Sequence, residues 1–210
     1  MGRILFYAAG MLAAAAAGVA LFLALNPIQD SPPPLTGVQA TVISNPRPLN
    51  PFALRDHKGE PFTLSSLQGK WTFLNFGYTY CPDVCPTTLS TLARLNAGLE
   101  KNGVDVPYQI VFVSIDPERD TETRLAEYVP YFSPGFVGAR GEQGDLRKLT
   151  GQLGVLFVRV EEKENAGGEY LMDHTASVIL IDPGGRLRAI FSAPHKASVM
   201  MEDFKIIASQ

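Results

Sequence analysis

"WTFLNFGYTYCPDVCPTTLSTLARLN", residues 71 to 96, is the stretch on which the fold turns. Its first eight residues, Trp71 to Tyr78, are an apolar run with the length of a strand covered on both faces. From Pro86 to Asn102, Leu89, Leu92, Leu95 and Leu99 recur at helical spacing, and Gly103 stands near the helix end. "YQIVFVSID", residues 108 to 116, is a second buried strand. Strand, helix, strand in this order is a right-handed parallel crossover. Between the first strand and the helix lie Cys81 and Cys85, the only cysteines in the 210-residue chain, each followed by proline.

Upstream, "PFALRDHKGEPFTLSSLQGK", residues 51 to 70, reads as a short strand, a turn at Lys58-Gly59, a second strand and a turn. Downstream, Thr121 to Phe132 and Glu142 to Gly151 read as helices around a short strand at Gly135 to Ala139. Residues 155 to 162 and 175 to 182 are expected strands. "RLRAIFSA" closes a hairpin across Asp182-Pro183-Gly184-Gly185, and a last helix runs from about Lys196 to Ala208. The expected fold is α/β, one central sheet flanked by helices.

Composition bounds the rest. With 46% hydrophobic and 19% charged residues the chain suits one globular domain plus an appendage. A net charge of -3 without basic runs excludes an electrostatic footprint for nucleic acid. The stretch Ile4 to Leu25 has neither charge nor proline, long enough to cross a hydrocarbon core of ~30 Å. Residues 1–25 are therefore expected to be an uncleaved transmembrane anchor. Arg3 and the amino group precede it and the next basic residue is Arg47, which leaves the amino end in the cytoplasm and the remainder outside, in a bacterial periplasm. Residues 26–51 hold seven of the sixteen prolines and read as an extended tether, so the globular domain is expected over 52–210.

The cysteine pair admits several chemistries. A staple closing so small a loop stabilises little, which leaves thiol–disulfide exchange and binding of a soft cation such as Cu(I). Pro86 suits the first helical position, making Cys85 the expected cap residue, its thiolate favoured by the positive helix end. Cys-Pro-Asp-Val resembles a turn that folds Cys81 back toward Cys85. Of three histidines, His57 lies in a turn and His195 near a helix start, where ordinary surface roles suffice. His174 stands where a loop enters a buried strand, a common place for function. Structural zinc would ask for four closed ligands, and the chain has one cysteine pair and no second histidine at ligand spacing. Asp116, Asp120 and Thr121 of "DPERDT" read equally as a catalytic group or as turn and cap residues. The acidic tip at residues 161 to 169 is a candidate recognition loop or a solvated turn.

"FGYTYCPDVCPTTL", "SIDPERDT" and "YLMDHTASVILIDPGGRL" together resemble the Sco/SenC family of membrane-anchored copper proteins, across about residues 50 to 208. The resemblance implies a thioredoxin-like fold with a central mixed sheet, and copper, as Cu(I) or Cu(II), bound by Cys81, Cys85 and His174. It implies delivery of copper to the binuclear copper site of cytochrome c oxidase subunit II, or reduction of that site's cysteines, with other copper chaperones or thiol-disulfide reductases as further partners. Tyr80 departs from the family pattern, where many relatives carry histidine. Asp173 is a candidate to orient the neighbourhood of His174. The competing class is an enzyme, a thiol-disulfide oxidoreductase or peroxidase, in which Cys81 and Cys85 are the redox pair.

Overall fold

The computed structural model describes residues 15–25, 35–161 and 170–210. Residues 15–25 form a helix, α1, in a unit of their own, separate from the compact unit that runs from Pro34 to Gln210. Among the described residues no helix is long and apolar enough to cross a membrane. The first part of the expected span, residues 26–34 of the expected tether and residues 162–169 of the acidic tip lie outside the described residues.

The larger unit is built on one eight-stranded mixed sheet. Its strands are β1 (Thr41–Val42), β2 (Ala53–Asp56), β3 (Pro61–Thr63), β4 (Trp71–Gly77), β5 (Tyr108–Ser114), β6 (Val137–Arg140), β9 (Val178–Ile181) and β10 (Leu187–Phe191), in the order β1-β10-β9-β4-β5-β6-β2-β3. β4, β5 and β6 run parallel; β9 pairs antiparallel with β4 and with β10. The helices are α2 (Val84–Lys101), α3 (Glu122–Phe132), α4 (Gln143–Leu153) and α5 (Ala197–Ala208). β7 (Phe157–Glu161) and β8 (Tyr170–His174) form a separate antiparallel ribbon.

β4 lies inside the sheet between β5 and β9, and its residues from Thr72 to Gly77 are buried. The apolar run therefore has no solvent face to mark with polar residues. α2 buries Leu89, Leu92, Leu95 and Leu99, a stripe at spacings of three and four. Phe204 of α5 fills the adjoining space against Trp71, Phe73 and Tyr108, with its ring 5.0 Å from that of Phe73.

Three differences from the sequence reading have physical causes. α2 begins at Val84, not Pro86, with Asp83 as its cap residue, so Cys85 sits inside the first turn. Proline is tolerated there because first-turn amides have no intrahelical acceptor. The second half of the expected tether belongs to the domain. β1 pairs with β10, Gln39 and Ala40 donate backbone N–H groups to Asp203, and Leu49 is buried. Proline-rich chain can lie along a sheet edge, where one side of the backbone needs no partner. Finally, "YLMDH" is a strand of its own, where the sequence pattern predicts a loop entering the next strand.

Candidate metal centre

Gly77 ends β4, and the chain turns through Tyr78 to Asp83 into α2, with the Cys81 amide donating to the Tyr78 carbonyl at 3.2 Å. This turn puts Cys81 beside the first turn of α2, where the Cys85 backbone N–H donates to Cys81 Sγ at 3.4 Å. Both thiols are free. Cys85 is 1% exposed, and its sulfur sits where a side chain on Gly77 would be: a Cβ there would come within 2.8 Å of it. The absence of a side chain at position 77 is what admits the sulfur.

The third group arrives from the ribbon. His174 ends β8, and its Nε2 lies 3.5 Å from Cys85 Sγ. His174 Nδ1 is 3.1 Å from the Thr175 carbonyl. A carbonyl only accepts, so Nδ1 carries the proton and Nε2 presents a lone pair to the sulfurs. The Tyr78 ring meets the imidazole edge-on at 6.4 Å between centroids.

One proton is shared unequally between the sulfurs. The hydrogen bond from the Cys85 thiol holds the Cys81 thiol far below its ordinary value, at about 3, against the desolvation that opposes it, and the backbone amides of Cys85 and Asp83 add to the effect. The same hydrogen bond and then burial push Cys85 up. The expectation of a low-pKa Cys85 is therefore reversed: Cys81, half-exposed, is the thiolate, and buried Cys85 retains the proton.

Below the pair, Asp120 is fully buried. It accepts from Thr79 N at 3.0 Å, Thr79 Oγ1 at 2.7 Å and Ser114 Oγ at 2.6 Å, tying the loop after β4 to the end of β5. Asp116 accepts from Tyr170 and Arg119, and Thr121 caps α3 through the Arg124 amide at 3.1 Å. "DPERDT" is thus a buttress, with Asp116 and Asp120 committed to hydrogen-bond donors. Sequence reasoning missed Arg119 and Tyr170 in this support; an arginine between two aspartates was the available signal. His57 Nδ1 accepts from the Gly138 amide at 2.9 Å, and His195 Nε2 lies 2.8 Å from the Ala176 carbonyl. Both are structural. Asp173 is on the outward face of β8 and has no hydrogen bond to His174, so it does not orient the imidazole. Tyr80 is half-exposed beneath Arg119 and Arg124, beside the pair and not in it.

Two sulfurs and a neutral imidazole nitrogen are a donor set for soft or borderline cations. Bonds of about 2.3 Å to sulfur and 2.0 Å to nitrogen, opened to a little over a right angle, span roughly 3.5 Å, matching the distance from Cys85 Sγ to His174 Nε2. Among the described residues no three His, Cys, Asp or Glu side chains form a ready-made metal cage. The three groups are joined by hydrogen bonds, and loss of the Cys85 proton is what would free their lone pairs for a metal.

A strand-to-helix cysteine pair on a thioredoxin-like α/β domain, faced by a histidine from a separate ribbon, defines a thiol-based metal or redox protein. The SCO1/SenC family model matches residues 40–209, and the chain belongs to that family. It is 36% identical over 155 residues to an SCO2-like protein of Rickettsia prowazekii, covering 74% of each chain. The copper-bound structure of Arabidopsis thaliana ScoI superposes with a TM-score of 0.72 at 32% identity, covering 78% of this chain and 100% of that one. Bradyrhizobium japonicum ScoI, also solved with copper bound, gives a TM-score of 0.66 at 35% identity, covering 76% and 98%.

Proposed function

We propose that this chain is a copper-binding delivery protein that carries copper on Cys81, Cys85 and His174. The convergence of these three groups, with 3.5 Å between Cys85 Sγ and His174 Nε2, carries the reading. Solved relatives with copper bound support the choice of metal. Copper is cargo, and the protein's part is to hold it reversibly. Cys81 offers a thiolate at neutral pH, Cys85 gives up its proton on binding, and the Thr175 carbonyl keeps His174 in the tautomer that can ligate. The recipient, by family resemblance, is the binuclear copper site of cytochrome c oxidase subunit II. The uncharged stretch from Ile4 to Leu25 supports anchorage in a bacterial inner membrane with the domain in the periplasm.

Copper titration of the reduced full chain, followed by absorption spectra, tests the ligand set. His174→Ala should weaken binding by more than about 100-fold, since one of three ligands is gone; affinity equal to wild type would sink the three-ligand model. Fractionation tests the anchor: the chain should resist alkaline extraction from membranes, and full release would refute the span.

A second reading, thiol–disulfide exchange, is favoured by the low pKa of Cys81. The Cys81 thiolate attacks one sulfur of a partner disulfide, forming a mixed disulfide and releasing one partner thiolate. Cys85, after losing its proton, attacks Cys81 Sγ and releases the second. The partner gains two electrons and Cys81–Cys85 becomes a disulfide. Both roles use the same sulfurs, so oxidation of the pair abolishes copper loading.

A further inference from the structure

The ribbon that carries His174 stands outside the eight-stranded sheet, and a two-stranded ribbon has little stability of its own in water. Something must fix it against the body. Along β8 the side chains alternate: Tyr170, Met172 and His174 face inward while Leu171 and Asp173 are exposed. At the end of the strand remote from His174, Tyr170 is 7% exposed and held on every side. Its hydroxyl donates to Asp116 Oδ1 at 2.7 Å, and its carbonyl accepts from Arg119 Nη1 at 3.0 Å. Its ring lies between two guanidinium groups, Arg119 at 3.5 Å and Arg159 at 3.7 Å from the centroid. Arg119 in turn donates through Nε to the other oxygen of Asp116.

We propose that Tyr170, clasped by Asp116 and Arg119, is the positioning residue that holds His174 over the cysteine pair. The inference rests on the reading of His174 as a metal ligand. Four residues of strand place the clasp roughly 14 Å from the imidazole, and the strand transmits the register. The apolar contacts of Met172 and Phe157 with the core resist separation but tolerate sliding. The directional bonds of Tyr170 do not. A slip of one residue would turn His174 outward and bring Asp173 to the sulfurs, replacing a soft-metal ligand with a hard one. Asp116 and Arg119 lie just after β5, the strand paired with β4, so the clasp refers the ribbon to the same framework that positions Cys81 and Cys85.

The test needs a readout independent of copper. In the reduced, metal-free full chain, the ring protons of His174 and Tyr78 should show a nuclear Overhauser contact. In Tyr170→Phe and in Asp116→Asn this contact should fall to less than half its wild-type intensity, with the signals of β4 and β5 unmoved. Leu171→Ser, which alters the outer face of the same strand, should leave it intact. Copper(I) affinity should drop about tenfold in the first two variants, with a changed copper–thiolate spectrum, and stay at the wild-type value in the third. Retention of the ring contact in both clasp variants overturns the proposal whatever copper does, and equal loss in Leu171→Ser overturns it as well. A wild-type protein that shows the ring contact yet binds no copper refutes the delivery reading instead, and the ring contact still decides the role of Tyr170.

Discussion

Cys81 and Cys85 are chemically alike in the sequence and unlike in the fold. Cys85 is enclosed by Gly77, Phe112 and the first turn of α2, whereas Cys81 keeps contact with solvent and receives the Cys85 thiol and the Cys85 and Asp83 amides as donors. An unperturbed thiol, with a pKa near 8.5, loses about three orders of magnitude in thiolate between pH 8 and pH 5. Cys81, held well below that value by the Cys85 thiol, keeps its thiolate further into acid. Alkylation of the reduced protein by iodoacetamide, with the labelled peptide identified by mass, should therefore modify Cys81 at pH 5 within about tenfold of its rate at pH 8, and Cys85 hardly at all. Predominant labelling of Cys85 would refute the assignment. Gly77→Ala probes the same enclosure: its Cβ would meet Cys85 Sγ and the Phe112 ring, each at 2.8 Å. Overpacking of this kind costs about 1–3 kcal/mol, and calorimetry should show it together with weakened copper binding. The cysteine pair was legible from spacing alone. Its asymmetry was not, because it depends on where α2 begins, and helix starts are poorly marked when proline falls inside the first turn.

The elements that were easiest to read are the ones whose burial is simplest. β4, β5 and α2 carry uninterrupted apolar runs or a leucine stripe, and they form within about two residues of the expected bounds. β8 escaped because only three residues, Thr175 to Ser177, separate it from β9, so two strands in different sheets read as one strand with a loop before it. His174 was placed correctly at a strand boundary, but at the end of β8 and not the start of β9. Nothing in its spacing from the cysteines, across 89 positions from Cys85, could have joined them; the family resemblance did so. The junction between elements yields its own prediction at Asp120. Asp120→Ala would leave the Thr79 amide and hydroxyl and the Ser114 hydroxyl buried without their acceptor, costing about 3 kcal/mol. Burial raises the Asp120 pKa above its ordinary value, more than its hydrogen bonds lower it. A folded-state value above the unfolded one means that the contribution is greatest below the unfolded pKa and is lost as pH rises through the folded one. Denaturant unfolding should accordingly show wild type losing stability relative to Asp120→Asn as pH rises from acid toward neutrality. A difference that is flat with pH would contradict it.

At the scale of the whole molecule, the boundary between tether and domain matters most for stability. Proline content placed the domain start at residue 52, whereas the compact unit begins at Pro34. Composition reports how little regular structure a segment forms and not what it lies against, and residues 35–51 are irregular yet bound. Gln39 and Ala40 donate to Asp203 at 3.0 and 2.8 Å, and the carboxylate they satisfy is 2% exposed. Ile43 and Leu49 continue the strap with backbone bonds to Arg188 and Gly185, and the Leu49 side chain is buried. A chain trimmed to residues 52–210 leaves Asp203 without these donors, at about 3 kcal/mol or more for a buried charge stripped of its partners. It also loses the burial of Leu49, about 2 kcal/mol, and exposes β10 as an open edge. Relative to residues 35–210, it should melt roughly 10–20 °C lower, at 2–4 °C per kcal/mol for a domain of this size, and aggregate on heating. Asp203→Ala in the longer form removes the charge with its donors left facing it, and should fall between the two. Equal melting temperatures for the two lengths would return residues 35–51 to the role of a tether. Since the strap's hydrogen bonds run to β10, the turn before it, α5 and α4, and none to Cys81, Cys85 or His174, copper bound per folded molecule should be the same in all three, which separates a stability defect from damage to the site.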